Sequence, residues 1–299
     1  QAPFAQEQMH AGLLRPDNSK SIAWQEIERA IAEVDLLNLH DEPTQKASVA
    51  IVTGAESYWI SDIERQSESY NFDDVQFDYY HALRSIGVGV DFVSTDSDID
   101  AYRLVVAPGL PIIDDAFVEK VERSGATFVF GPRSGAKTHE FGYPENLPPG
   151  PLQRIVPLRV LSIETLRPDC PEALSWNGSQ YESRIWREEL DAPDGHVLGQ
   201  YDNGAPAVVQ YGPVTYIGTL TSTEFLKDFF RQLCADVDIP TYEFGIDVRL
   251  AQRGSLMFAF NYSGEQQELP LDENAELLLG DRRMKPYDVT VWKLRVESA

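Results

Sequence analysis

Apolar positions change their period along this chain, and the changes mark its parts. Ile22, Trp24, Ile27, Ile31, Val34 and Leu37 recur at helical spacing, which predicts an amphipathic helix over residues 22–39 with Ser21 as its N-cap. A polar stretch containing Pro43 follows and reads as a linker. Short, largely apolar runs then alternate with helical patterns: strands at 47–52, 88–93, 104–107 and 127–130, and helices at 75–86, stopped by Gly87, and at 114–123, stopped by Gly125. Strand, helix, strand at this rhythm implies a parallel sheet covered by helices on both faces. The Pro-rich segment 144–151 interrupts the rhythm. Beyond it, β segments at 156–163, around Trp176, and at 185–190, 197–201 and 207–211 are separated by turns such as Asn177-Gly178 and Asn203-Gly204, and read as a β-rich insertion. Residues 214–218 return as a core strand, and 224–237 form a closing helix with Phe225, Phe229, Phe230 and Leu233 on one side. From 239 onward, strand-like runs at 248–252, 256–262, 267–271, 275–279 and 289–294 predict a small antiparallel sandwich or barrel. The expected fold class is an α/β parallel-sheet domain followed by a small all-β antiparallel domain, organised as residues 1–40, 41–238 and 239–299.

Charge narrows the partners. With 48 acidic against 25 basic residues, the formal net charge of -23 repels nucleic-acid phosphates and anionic membrane surfaces, so neither is expected as a partner. Only seven of the basic residues are Lys. A carboxylate surplus with little Lys suits a chain that stays hydrated in concentrated salt, where its self-repulsion is screened, and a salt-adapted source is expected. No apolar run approaches the ~20 residues of a membrane span. The first residues lack both an initiator Met and the basic start of a secretory signal, so the chain reads as a fragment or processed product. Two distant cysteines, Cys170 and Cys234, make neither a disulfide framework nor a zinc site. Cys234 reads as buried and Cys170 as a loop residue, compatible with a cytoplasmic location. No metal and no cofactor is expected.

Chemistry-bearing residues are sparse. Glu7 and His10 stand three apart, which on a helix or turn puts both on one face. A carboxylate can accept two sugar hydroxyls and an imidazole can make one further hydrogen bond, so the pair suits a polyhydroxylated ligand; a solvated helix end fits the same spacing. Gly131, Gly135, Lys137 and Thr138 outline a run like a phosphate loop, but Ala136 separates glycine from lysine and breaks the pattern. A flexible loop that faces a partner subunit is the better reading. Trp59, after the first strand, fits either an interface anchor or a core tryptophan.

The opening run QAPFAQEQMHAGLL resembles a segment near the C-terminal end of the (β/α)8 barrel in glycoside hydrolase family 42 β-galactosidases. The similarity continues through the Trp24 helix, the linker, YNFDDVQFDYYHALRSIGVGVDFV and YRLVVAPGLPIID, and covers essentially the whole chain. It implies that residues 1–40 are the tail of the catalytic barrel, 41–238 a trimerisation domain and 239–299 a C-terminal β-sandwich domain. It further implies that Glu7 and His10 contact galactose and that the chain works within a homotrimer. A retaining glycosidase needs two carboxylates about 5 Å apart; in this family both precede Gln1, as do the zinc-binding cysteines. No catalytic residue is therefore assigned here, and the chain alone is expected to be inactive.

The middle domain also resembles the flavodoxin-like class I glutamine amidotransferase fold, whose nucleophilic cysteine stands on a strained turn after a central strand. Here LVVAP leads to Gly109-Leu110-Pro111 and TFVF leads to Gly131-Pro132-Arg133, neither with a cysteine, so a structural role is expected. Two other readings compete. A free-standing amidotransferase-like sugar-binding module would need a pocket at the strand ends near Gly109 or Gly131. An active amidotransferase or peptidase would need Cys170 or Cys234 as its nucleophile.

Overall fold

A computed structural model describes residues 12–244 and 247–294. In chain order they form α1 (Trp24–Leu36), β1 (Val49–Val52), α2 (Ala55–Ile63), α3 (Phe72–Ser85), β2 (Val90–Val93), β3 (Leu104–Ala107), α4 (Asp115–Arg123) and β4 (Thr127–Phe130). A 3-10 turn at Gly150–Arg154 precedes β5 (Arg159–Thr165), β6 (Glu172–Trp176), β7 (Ser179–Asp191), β8 (His196–Tyr201), β9 (Pro206–Tyr211), β10 (Val214–Ile217), β11 (Thr219–Thr221) and α5 (Thr223–Asp236). Short strands β12 (Val248–Arg253), β13 (Leu256–Asn261), β14 (Gln267–Glu268), β15 (Leu277–Leu279), β16 (Arg283–Met284) and β17 (Val289–Lys293) complete it. Residues Lys46–Leu250 form one compact unit, and the two ends of the chain form another.

The larger unit is built on five parallel strands in the order β2-β1-β3-β4-β10. Every residue of β1 and β3 is buried, and alternate side chains go to opposite layers. Val49, Ile51, Leu104 and Val106 pack with Tyr79, Leu83, Phe225 and Phe230 of α3 and α5. Ala50, Val52, Val105 and Ala107 pack with Phe117, Val118 and Val121 of α4. Two covered faces are the reason these strands read as unbroken apolar runs. Helices α3, α4 and α5 start on side-chain caps that occupy free N–H groups: Asn71 accepts from Asp73 N at 2.9 Å, Asp114 from Phe117 N at 2.8 Å and Ser222 from Phe225 N at 3.3 Å. At the far end of α3, Gly87 takes φ +79° while its N–H bonds Arg84 O and the N–H of Val88 bonds Leu83 O, a Schellman stop that needs the left-handed glycine.

The β-rich segment after the Pro-rich break is inserted between the neighbouring parallel strands β4 and β10, as expected, and it extends their sheet. β9 pairs antiparallel with β10, and β8, β6 and β7 continue the same sheet outward. β11 follows β10 directly through Gly218 yet pairs with β7 at the other end of that order. The antiparallel strands therefore curl into a ring that meets itself at Gly218. Trp176 sits inside with edge-on contacts to Phe225 and Phe229 at 5.7 and 5.9 Å.

Other expectations need correction. Ser21 is not the N-cap of α1; that position is Ala23, with no side-chain cap, and the Ser21 hydroxyl is buried without a partner. Residues 55–63, for which the apolar pattern predicts no element, form the helix α2, whose apolar side chains mostly face outward and so leave no inward stripe. In the smaller unit, the expected strand at 267–271 shrinks to β14, paired with the unanticipated β16, beside a four-stranded sheet ordered β12-β13-β17-β15. There Leu37, Leu256 and Val291 form the buried centre.

β4 and β3 end so close together that a Cβ on Gly131 would lie 1.9 Å from the Pro108 carbonyl oxygen. Gly131→Ala is expected to destabilise the larger unit by about 2 kcal/mol or more, because backbone must move to admit the methyl group. Urea denaturation of the variant checks this; an unchanged midpoint would contradict the close approach.

Candidate functional site

β4 delivers the chain into Gly131-Pro132-Arg133, and Arg133 takes the left-handed conformation, φ +65°. Such a conformation persists in a non-glycine residue where surrounding contacts impose it. The contact is Glu188 on β7. Its Oε1 accepts the Arg133 backbone N–H at 2.8 Å and the Trp186 indole N–H at 3.1 Å, and its Oε2 accepts the Tyr216 hydroxyl at 2.8 Å. Burial pushes the Glu188 carboxyl up to about 7, against the lowering effect of the Arg133 N–H, the Tyr216 hydroxyl and the Trp186 N–H. Tyr201 reinforces the same place by donating to the Gly218 carbonyl at 3.0 Å.

The Arg133 side chain is almost wholly buried. Its guanidinium lies 4.7 Å from the Tyr70 ring centre and 4.9 Å from that of Trp186, and it donates to the Glu64 carbonyl at 2.9 Å. In doubly wound sheets ligands enter at the carboxyl ends of the strands. Here that position, beside Gly109 and Gly131, is filled by Arg133, Tyr70 and Trp186. The turn thus carries an arginine held by backbone and rings, not a nucleophile. Cys234 is buried, its thiol pushed up to about 12 by burial, and Cys170 is exposed in the turn before β6.

The loop beyond the turn is tied down in register. Ser134 Oγ donates to Gly131 O at 2.8 Å, and the N–H groups of Gly135 and Lys137 bond Leu110 O and Pro111 O, each at 2.9 Å. Lys137 is buried: its Nζ lies 2.6 Å from Glu64 Oε2, donates to Phe141 O at 3.2 Å and sits 4.3 Å from the Tyr143 ring centre. A lysine committed to a carboxylate, a carbonyl and a ring has no role in cradling phosphate. The reading of 133–138 as a flexible loop is likewise corrected, since Arg133, Ser134 and Lys137 are all buried.

These bonds fasten the loop to α2. Glu64, just past the helix, holds both Arg133 and Lys137; Gln66 Nε2 reaches the Tyr143 hydroxyl at 3.5 Å, and His139 faces Glu56 at 3.8 Å. The result is an exposed apolar surface: Tyr58, Trp59 and Ile63 on α2, and Phe141, Tyr143 and Leu147 on the loop. Trp59 is 56% exposed, which removes the core alternative for it. Grouped exposed aromatic and aliphatic side chains mark an interaction surface. The sequence-predicted pair Glu7 and His10 lies outside the described residues. The Glu188 centre was missed, although alternation along β7 carried the signal: Trp186, Glu188 and Leu190 all face inward. Among the described residues, no group of His, Cys, Asp and Glu is placed to hold a metal ion, and no helix is long and apolar enough to cross a membrane.

Known proteins match this chain along its length. The sequence profile of the beta-galactosidase trimerisation domain matches residues 47–240, and that of the beta-galactosidase C-terminal domain matches residues 245–294. The beta-galactosidase of Thermus thermophilus is 36% identical over 293 residues, covering 98% of this chain and 45% of that protein. Beta-galactosidase BgaH of Haloferax lucentense is 31% identical, covering 96% of this chain and 44% of that protein. Among solved structures, the beta-galactosidase from the psychrophilic Marinomonas ef1 superposes with a TM-score of 0.92 at 32% identity, over 99% of this chain and 46% of that one. The chain spans a little under half the length of the relatives it matches.

The Glu188 carboxyl keeps its proton up to about pH 7 in the folded chain, against an ordinary value of 4.5. Folding therefore takes up a proton between these two values. The stability this contributes is complete below about 4.5 and is lost as pH rises to about 7. Glu188→Gln removes the titration. The difference in unfolding free energy, wild type minus Glu188→Gln, is expected to fall by up to about 3 kcal/mol across that window. Urea titrations at a series of pH values measure it, and a difference that stays constant would contradict the assignment.

Proposed function

The chain belongs to the family 42 β-galactosidases, and from that premise we propose that it assembles and completes such an enzyme while the catalytic carboxylates lie in a part of the protein that this sequence does not include. The observation that carries the reading is the pair of profile matches, at 47–240 and 245–294, over a chain that covers 45% of its Thermus thermophilus relative. The parent reaction is retaining hydrolysis of terminal β-galactosidic bonds, and the chain alone is inactive. Residues 1–40 are the tail of the catalytic barrel, 41–238 the assembly domain and 239–299 the C-terminal β domain. Glu7 and His10 hold galactose hydroxyls. The protein is a cytoplasmic homotrimer from a salt-adapted source.

Several features support this. The parallel order β2-β1-β3-β4-β10 corresponds to the doubly wound order 2-1-3-4-5, in keeping with a flavodoxin-like, amidotransferase-like ancestry. The strand-end crevice filled by Arg133 argues against ligand chemistry there and for a structural use of the fold. α1 leaves the large apolar side chains Ile31 and Leu36 exposed, and a barrel packed around the helix would cover them. A closed trimer needs a heterologous contact between two different patches, and the surface of Trp59, Ile63 and Tyr143 supplies one of them. The net charge of -23 and the relative from Haloferax lucentense favour the salt-adapted source.

Sedimentation of the 299-residue chain is expected to give a trimer. Trp59→Ala is expected to weaken association by about 30-fold, corresponding to about 2 kcal/mol for a central aromatic anchor. A wild-type chain that stays monomeric at high concentration, or a variant that associates as tightly as wild type, would count against this interface.

A further inference from the structure

Strand β5 carries core-type side chains that the fold leaves uncovered. Its register on β7 sets Val160 opposite Leu190, Ile163 opposite Glu188 and Thr165 opposite Trp186. Residues directly opposite each other in an antiparallel pair share a face, and on β7 this face is the buried one. Val160 is buried to match, but Ile163 is 42% exposed, and Leu161, where the register shifts, is 50% exposed. The other face of β5 is occupied by polar pairs: Arg159 with Asp191, Ser162 with Glu189 at 2.6 Å and Arg187 with Glu164 at 3.1 Å. The strand thus turns a polar face to water as an edge strand should, and it also leaves Leu161 and Ile163 without a layer over them.

This stripe adjoins the exposed aromatic surface. The Val160 N–H bonds the Pro148 carbonyl at 2.8 Å, so β5 starts beside the end of the loop that carries Tyr143 and Leu147. We propose that Leu161 and Ile163 form the second half of the assembly contact, on which the Trp59 surface of a neighbouring copy of this chain docks. The inference rests on the reading of this unit as an assembly domain, and it names the patch that the Trp59 surface meets. A threefold rotation joins two different faces of one chain, and those faces meet near the axis. Leu147 and Pro148, where the two halves join, then lie closest to it.

Charge selects this partner. Glu56, Asp62, Glu68, Glu140 and Glu145 stand exposed along α2 and the loop, against Arg65. Two such surfaces face to face would set carboxylates against carboxylates, which disfavours self-pairing. The exposed Phe77 shares a side of α3 with Asp73 and Asp74 and would meet the same repulsion. The face of β5 that holds Ile163 has no charged side chain, because Arg159 and Glu164 lie on the opposite one. In a chain of net charge -23, an uncharged apolar stripe is the face that an acid-ringed aromatic surface can approach.

Cross-linking of the 299-residue chain tests the pairing, with Cys170→Ser removing the exposed native thiol. Chains bearing Ile63→Cys and chains bearing Ile163→Cys are co-expressed, treated with a flexible bis-maleimide and compared with each variant alone; both positions are exposed and Trp59 stays in place. A covalent dimer is expected in the co-expressed pair and in neither variant alone, because a heterologous contact brings each position to the other. At low salt, Ile163→Lys is expected to associate about tenfold more tightly than Ile163→Asp, and concentrated salt is expected to close the gap. Cross-links within a single variant would reveal self-pairing of one face and overturn the proposal. A co-expressed pair that sediments as a trimer without cross-linking, or two charge variants that associate alike, would also overturn it while the assembly reading stands. A wild-type chain that sediments as a monomer would remove that reading and the proposal together.

Discussion

Glu188 accepts hydrogen bonds from the Arg133 backbone, the Trp186 indole and the Tyr216 hydroxyl. Those donors come from the turn after β4, from β7 and from β10, so one carboxyl group joins the parallel sheet to the antiparallel ring. Placing an acidic group where it is wholly buried is costly, and the cost is offset only when its oxygens are occupied. Three donors at 2.8–3.1 Å do this. The left-handed turn at Arg133 follows from it, and so does the position of the arginine side chain between Tyr70 and Trp186. From there Glu64 carries the constraint outward, because it receives both Arg133 and Lys137 and thereby fastens the loop to the end of α2.

The carboxyl ends of the parallel strands are filled by side chains in this fold. A doubly wound sheet leaves a crevice at the carboxyl ends of its strands, and a nucleophile on a strained turn is one use of it. Here an arginine fills the crevice, and the loop that leaves it presents Phe141 and Tyr143 alongside Trp59. A rigid base beneath exposed aromatic groups lowers the conformational entropy lost on association, which is what an assembly domain requires.

The parallel strands were legible in the sequence because β1 and β3 are buried on both faces, which leaves no polar position to interrupt their apolar runs. The stop at Gly87 was legible for a local reason, since the left-handed residue lies within one turn of the helix it ends. Helix α2 was not. Its large side chains, Tyr58, Trp59 and Ile63, face outward, so its apolar pattern describes an exposed surface and not the core. The ring closure was also hidden, because β11 pairs with β7 across more than thirty residues and no local pattern encodes that pairing. Glu188 was half legible: alternation with Trp186 and Leu190 places it inside, but its three donors are brought together only by the tertiary fold. Glu7 and His10 rest on resemblance alone, as they fall outside the described residues.

The central claim is that the Glu188 centre holds the turn and loop that present the assembly surface. Sedimentation of Glu188→Ala, combined with amide hydrogen exchange, tests it most directly, because the substitution lies beneath the surface and touches none of its exposed side chains. The account predicts loss of association together with faster exchange across residues 133–147, while the amides of β1 and β3 stay protected. A Glu188→Ala chain that associates like wild type, with its loop equally protected, would contradict it.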